Sequence, residues 1–145
     1  MVSAKIKNIL VPLDGSKNSI RGLDEAIYLA QQFHAKITAI YAKHYPTAFI
    51  LHPLGFIDIK FKKEGKKILN PAKTRAAKHG ILVISKIIGS SDPGYDIVRH
   101  ANNKENKIDM IVIGSRGRST AKEIFLGSVS NYVVHKSKVP VLVVK

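Results

Sequence analysis

"GSRGRSTAKEIFLGS", residues Gly114 to Ser128, holds three glycines in fifteen positions. The apolar run "MIVI" precedes it and the amphipathic "VSNYVVHK" follows it. Glycine is costly inside regular structure, so each one needs a reason. In the stretch after the loop, Val129, Tyr132 and Val133 fall at steps of three and four, the spacing of one helix face. The whole therefore reads as strand, glycine loop and helix. Repeated along a chain, that unit gives a parallel α/β sheet with right-handed crossovers.

The same unit recurs outward from this stretch. Apolar runs occupy Ile6–Leu13, Ile37–Ala42, Ile81–Ile88, Ile108–Ile113 and Val139–Val144. Each is short and rich in Ile and Val, and several lack a polar alternate face, as strands buried on both sides do. Between them, Ser16–His34 places Ile20, Leu23, Ile27 and Ala30 on one helix face, with Ser16 or Ser19 as its cap. Asp92–Asn103 opens with "DP", an N-cap followed by a first-turn proline, and its apolar face is Ile97, Val98 and Ala101. The region Lys43–Gly80 is less regular. "HYPTAFILHPLGF" reads as a loop. "IDIKFKKEGKKILNPAKTRAAKHG" reads as a helix that Pro71 should break or kink after Asn70. No repeat and no shift in composition marks a second domain, so residues 1–145 are expected to form one.

The totals bound the class. The 145 residues are 45% hydrophobic, enough for a real core, and contain no cysteine, so no disulfide framework is available. A reducing cytoplasm is the simplest home. No apolar run approaches the eighteen residues of a membrane span, and the start lacks a cleavage-site pattern, so neither a membrane protein nor a signal peptide is expected. The net charge of +14, from 24 Lys+Arg against 10 Asp+Glu, invites polyanionic partners, although charge alone names none. Its main concentration is Lys60, Lys62, Lys63, Lys66, Lys67, Lys73, Arg75 and Lys78, with Glu64 almost alone against them.

Gly114 and Gly117 lie beyond the carboxyl end of the fourth strand, where ligands of open α/β sheets sit. There a glycine can take positive φ and let a ligand approach the backbone. Gly127-Ser128 stands where the last helix begins, and a helix N-terminus offers free N–H groups and the positive end of the macrodipole to a phosphate. The Ser128 hydroxyl, Arg116 and Arg118 add to the same loop. The plainer reading is that the glycines only turn the chain and Ser128 only caps the helix. Neither a Walker A loop nor a G-x-G-x-x-G fingerprint occurs in the sequence.

With its G-x2-G-x9-G-S motif at Gly114, Gly117, Gly127 and Ser128, the stretch from Ile113 to Val144 resembles the C-terminal signature of the universal stress protein family. "ILVPLDGS" resembles that family's opening strand, and "GSSDPGYDIVRHA" its third-helix entry. The resemblance weakens between about Tyr45 and Lys78. It implies an open five-stranded parallel sheet in order 3-2-1-4-5 with helices on both faces, of the adenine nucleotide alpha hydrolase-like type. It also implies membership of the ATP-binding branch. Pro12, Leu13 and Asp14 would then border the adenine, with the backbone near Ala42 closing the pocket. Ile113, Gly114, Arg116, Gly117, Gly127, Ser128 and Val129 would surround the ribose and phosphates, with Mg2+ or Mn2+ on the phosphate oxygens. The last strand, Val139–Val144, would pair with its mate in a homodimer.

Other readings stand beside this one. Asp14 in "DGS" is also a natural turn residue. It has no paired carboxylate and belongs to no Ser-His-Asp constellation, so a binding or signalling module is expected, with a slow metal-dependent ATPase as the first alternative and a nucleic-acid or anionic-surface protein using Lys60–Lys78 as the second. The six histidines show no metal-ligand spacing, and His135 is expected at the surface. Tyr41, Tyr45, Phe49, Phe56 and Phe61 interleave with the basic cluster. That mix suits nucleic acid, but core packing is the simpler explanation for it, and no nucleic-acid motif is present.

Overall fold

The computed structural model describes residues 5–44, 55–90, 92–117 and 126–145. Along the chain run β1 (Asn8–Pro12), α1 (Lys17–Phe33), β2 (Lys36–His44), α2 (Gly55–Ala77) and β3 (Val83–Ser90). Then come α3 (Pro93–Asn102), a short 3-10 turn (Lys104–Asn106), β4 (Met110–Gly114), α4 (Ser128–Lys136) and β5 (Val141–Val144). The strands form one sheet in the order β3-β2-β1-β4-β5, with every pairing parallel. This is the expected order. The loop reading of His44–Phe56 is corrected at both ends, since His44 closes β2 and Gly55 and Phe56 open α2; residues 45–54 lie outside the described residues, as does Arg118.

Two apolar layers hold the helices to the sheet. Ile9 and Val11 of β1 point to one side, where they meet Leu23, Ala26 and Ile27 of α1 and Leu69, Ala72 and Ala76 of α2. Leu10 points to the other, with Ile97, Val98 and Ala101 of α3 and Val133 of α4. Every residue of β1 and β4 is buried, which is why neither run shows a polar alternate face. The edge strand β5 is half-buried throughout, Leu142 and Val144 serving the first layer and Val141 and Val143 the second. No helix among the described residues is long and apolar enough to cross a membrane.

Local chemistry sets the helix ends. The Ser16 side chain accepts from Ser19 N–H (3.1 Å) and caps α1, so Ser16 is the cap rather than Ser19. His34 closes α1 in the left-handed region at φ 54°. Leu23, Ile27 and Ala30 are buried as expected, but Ile20 is only half-buried, because Ser19 and Gly22 occupy the face that meets the sheet. At α3 the Asp92 carboxylate accepts from Tyr95 N–H and Pro93 fills the first turn, as the sequence signals.

Pro71 does not end its helix. α2 continues from Gly55 to Ala77 with Pro71 inside it. The proline is exposed, while Leu69, Ala72 and Ala76 on either side of it are anchored in the core. The bond lost at Pro71 falls on the solvent side, and tertiary packing outweighs the local preference. A two-point pair between Arg75 and Asp24 (2.5 and 2.8 Å) ties α2 to α1 and raises the pKa of the guanidinium.

His100 of α3 titrates below its ordinary value. Burial disfavours its charged form, and Lys86 and Arg99 add repulsion. The neutral ring is thus the form that suits the fold. Its contribution is complete above the unfolded pKa, near 6.5, and is lost as pH falls through the lowered folded value. Wild type should therefore lose more melting temperature than His100→Gln between pH 7 and pH 5. Equal losses in scanning calorimetry would contradict this.

Candidate functional site

β1 leads to β2 on one side of the sheet, and the chain later returns to β4 on the other. The strand order therefore reverses beside β1, and a crevice opens beyond the carboxyl ends of these strands. A cavity of about 330 Å³ lies there. All eleven residues singled out in the sequence line it: Pro12, Leu13 and Asp14 after β1, Ala42 on β2, and Ile113, Gly114, Arg116, Gly117, Gly127, Ser128 and Val129 around the β4–α4 loop. Strands about 4.8 Å apart set its breadth, with β2 and β4 on either side of β1.

The three glycines differ in what they touch. Neither Gly114, Gly117 nor Gly127 has a positive φ; among the described glycines only Gly15 and Gly80 do. The expected left-handed turn is therefore not their reason, and space is. A Cβ on Gly114 would stand 2.6 Å from the backbone oxygen of Asn18 in α1, so this glycine is required by packing. A Cβ on Gly117 would stand 2.6 Å from Asp14 Oδ2, at the cavity wall. A Cβ on Gly127 would meet Arg116 Cα at 3.5 Å, Ser130 Oγ at 3.6 Å and Gly117 N at 3.7 Å, all ordinary contacts. The protein itself leaves room for a side chain there, among cavity-lining groups.

Ser128 is the first residue of α4 rather than its cap. Gly127 holds the cap position, and among the described residues no side-chain cap bond is formed there. The helix start is fixed in another way. Gly127 N–H donates to Ser115 O (2.8 Å), and the buried Ser130 hydroxyl donates to Ser115 O (2.8 Å) and Gly127 O (3.0 Å). These bonds hold the N-terminus of α4 beside the cavity without using its leading donors.

Asp14 serves both of its readings. Its Oδ1 accepts from Ser16 N–H (2.8 Å), closing the turn into α1 beside Gly15 at φ 83°. Its Oδ2 lies toward Gly117 in the cavity. Among the described residues no three His, Asp or Glu side chains cluster to hold a metal. Asp14 is the only carboxylate among the described residues that line the cavity.

Sequence reading missed Ser19, Ile40, Lys43, His44, Pro93, Ile97 and Ser130, which also line the cavity. Ile97 and Pro93 were legible as helix residues, but nothing in their spacing says that α3 leans over the strand ends. Ser130 had one usable signal, a serine on the buried face of a predicted helix, where a hydroxyl needs a partner.

The family profile of the universal stress proteins matches residues 5–145. The universal stress protein YxiE of Bacillus subtilis is 39% identical over 147 residues, covering 94% of this chain and 97% of the relative. The solved structure of MJ0577, a universal stress protein of Methanocaldococcus jannaschii, superposes with a TM-score of 0.85 at 27% identity, over 97% of this chain and 96% of that one. A universal stress protein solved in complex with cAMP superposes at 0.75 with 29% identity, over 99% of both chains.

The glycine geometry makes a test that needs no ligand. Gly114→Ala should cost at least about 2 kcal/mol, since the clash is with backbone on both sides. Gly127→Ala and Ser128→Ala should each cost less than about 1 kcal/mol, because neither removes a cap bond. Urea unfolding that finds Gly127→Ala as damaging as Gly114→Ala would refute this division.

Proposed function

We propose that this chain, which belongs to the universal stress protein family, binds ATP in the cavity at the β1–β4 reversal and acts as a nucleotide-dependent stress-response or signalling module. The observation that carries the reading is the N-terminus of α4 at the cavity, which begins at Gly127 with no side-chain cap bond among the described residues. The N–H donors at the positive end of a helix suit phosphate oxygens. Arg116 lines the same region and Ser128 adds a hydroxyl. The relative in complex with cAMP supports an adenine nucleotide as the class of ligand.

The two sides of the cavity suit the two ends of such a molecule. On the β2 and α3 side, Ile40, Ala42, Pro93 and Ile97 offer apolar surface for a purine, with Pro12 and Leu13 beneath. The N-terminus of α3 is already closed by the Asp92 carboxylate, so it offers an anion little. On the β4 and α4 side lie Gly117, Gly127 and Ser128. A divalent ion, Mg2+ or Mn2+, fits as a companion of the phosphates. The chain supplies the Asp14 carboxylate near it, and phosphate oxygens and water would complete its shell. The ion would neutralise phosphate charge and fix the phosphate conformation. Binding, rather than hydrolysis, is the proposed activity.

We also propose a homodimer through β5. The strand stands at the sheet edge, and its four apolar residues are only half-buried. An apolar edge left bare invites pairing. The cysteine-free composition suits a reducing cytoplasm.

In a thermal unfolding assay, ATP with Mg2+ at a hundredfold excess over Kd should add about 2.7 kcal/mol, a rise of several degrees. Gly127→Val should abolish the rise while the free protein melts close to wild type. No rise at millimolar ATP, or a full rise in Gly127→Val, would sink the nucleotide reading. For the assembly, light scattering at micromolar concentration should give twice the 16.0 kDa chain mass. Val143→Lys should shift it toward the monomer, and a monomeric wild type would remove the dimer.

A further inference from the structure

α2 presents a rigid row of like charges. Between Lys60 and Lys78 the chain has eight Lys and Arg and one acid, Glu64. All eight cations are exposed, because the apolar stripe of the helix, Leu69, Ala72 and Ala76, is used up against the sheet. Glu64 is turned to Lys43 of β2 (2.8 Å), and Arg75 to Asp24 of α1. Neutralisation therefore falls on the flanks. At 3.6 residues per turn, Lys60, Lys63, Lys66, Lys67 and Lys78 fall within an arc of about 120°, spread over about 27 Å of helix.

A row of this kind has a structural cost. Lys60/Lys63, Lys63/Lys66 and Lys63/Lys67 stand three or four apart, where like charges weaken a helix. Nothing in the packing of α2 requires lysine there. A solvated surface would be served as well by mixed charge. A polyanion lying along the helix would turn the same repulsion into attraction.

We propose that the outer face of α2 binds the phosphate backbone of double-stranded nucleic acid, without sequence preference. The contacts on offer are flexible point charges, which suit phosphates and read no base edges. The span of about 27 Å covers about eight phosphate steps of one strand. Stacking on unpaired bases is disfavoured, because Phe61, the one aromatic of this stretch, packs on Tyr41 in the core with ring centroids 5.6 Å apart. Insertion into a lipid surface is disfavoured too, because among the described side chains Ile59 is the one large apolar residue exposed on this face, too little to anchor it.

The test is fluorescence anisotropy of the full chain with a 20-base-pair mixed-sequence DNA duplex, titrated between 50 and 200 mM KCl. About five phosphate contacts predict a slope of log K on log salt of about −4 to −5, and an affinity loss of roughly 500-fold over that range. Replacing Lys60, Lys63, Lys66 and Lys67 with Gln should reduce the slope to about −1. The same four-charge change at Lys104, Lys107, Lys136 and Lys138, exposed residues outside α2, should leave it near wild type. Circular dichroism checks that both variants fold. The proposal fails if the duplex is not bound at 50 mM KCl. It also fails if both quadruple variants lose slope equally, which would make bulk charge responsible. Tighter binding to phosphatidylserine vesicles than to the duplex would overturn it in favour of a membrane surface.

Discussion

The backbone-to-backbone contact between α1 and β4 organises this molecule. A Cβ on Gly22 would lie 3.2 Å from Gly114 N, and one on Gly114 would lie 2.6 Å from Asn18 O. No side chain separates helix and strand at this point. The first turns of α1 are thereby drawn down onto the carboxyl end of β4. Asp14, in the turn that leads into α1, comes to stand beside Gly117, which follows β4, and lines the same cavity as Arg116. A glycine in the middle of α1 costs about 1 kcal/mol of helix preference against alanine. The close approach repays that cost by making one wall of the cavity from two distant stretches of chain.

The three glycines of the opening stretch therefore belong to two systems. Gly114 is part of the α1–β4 contact and would be needed with no ligand at all. Gly127 has room around it that the protein does not use. Gly117 stands between, facing the carboxylate that closes the turn into α1. A single motif in the sequence thus joins a packing constraint to an open space, which explains why neither turn chemistry nor ligand chemistry alone accounts for all three positions.

Much of this was legible in the chain. All five apolar runs became strands, and β1 and β4 stood out most clearly because burial on both faces removes the polar alternation that would blur them. Asp92-Pro93 announced its helix because cap chemistry is local. Pro71 misled, since local preference suggested a break while Leu69, Ala72 and Ala76 held the helix to the sheet on both sides of it. Positive φ at the glycines misled for a related reason. The sequence shows that a Cβ is absent, not whether freedom or space required its absence. Lys43, His44, Pro93 and Ile97 were missed as cavity residues because their place depends on how far α3 leans over β2, a tertiary quantity with no pattern of its own.

The helix starts around the cavity carry a final distinction. α1 is capped by Ser16 and α3 by Asp92, each side chain occupying a donor of the first turn. α4 begins at a glycine with no cap. A serine, threonine or aspartate at that position would stabilise so short a helix by only about 0.3 kcal/mol over glycine. α4 is instead held by Ser130, whose hydroxyl donates to the carbonyls of Ser115 and Gly127. The two arrangements differ in sign. A cap accepts from the N–H groups at the helix end, whereas Ser130 satisfies carbonyl oxygens and takes up none of those N–H groups. Of the helices whose N-termini lie around this cavity, α3 is closed by a carboxylate, which repels an anion, while α4 has no side-chain cap bond among the described residues. That difference gives the cavity a direction, with its apolar side toward α3 and the side better suited to an anion toward α4.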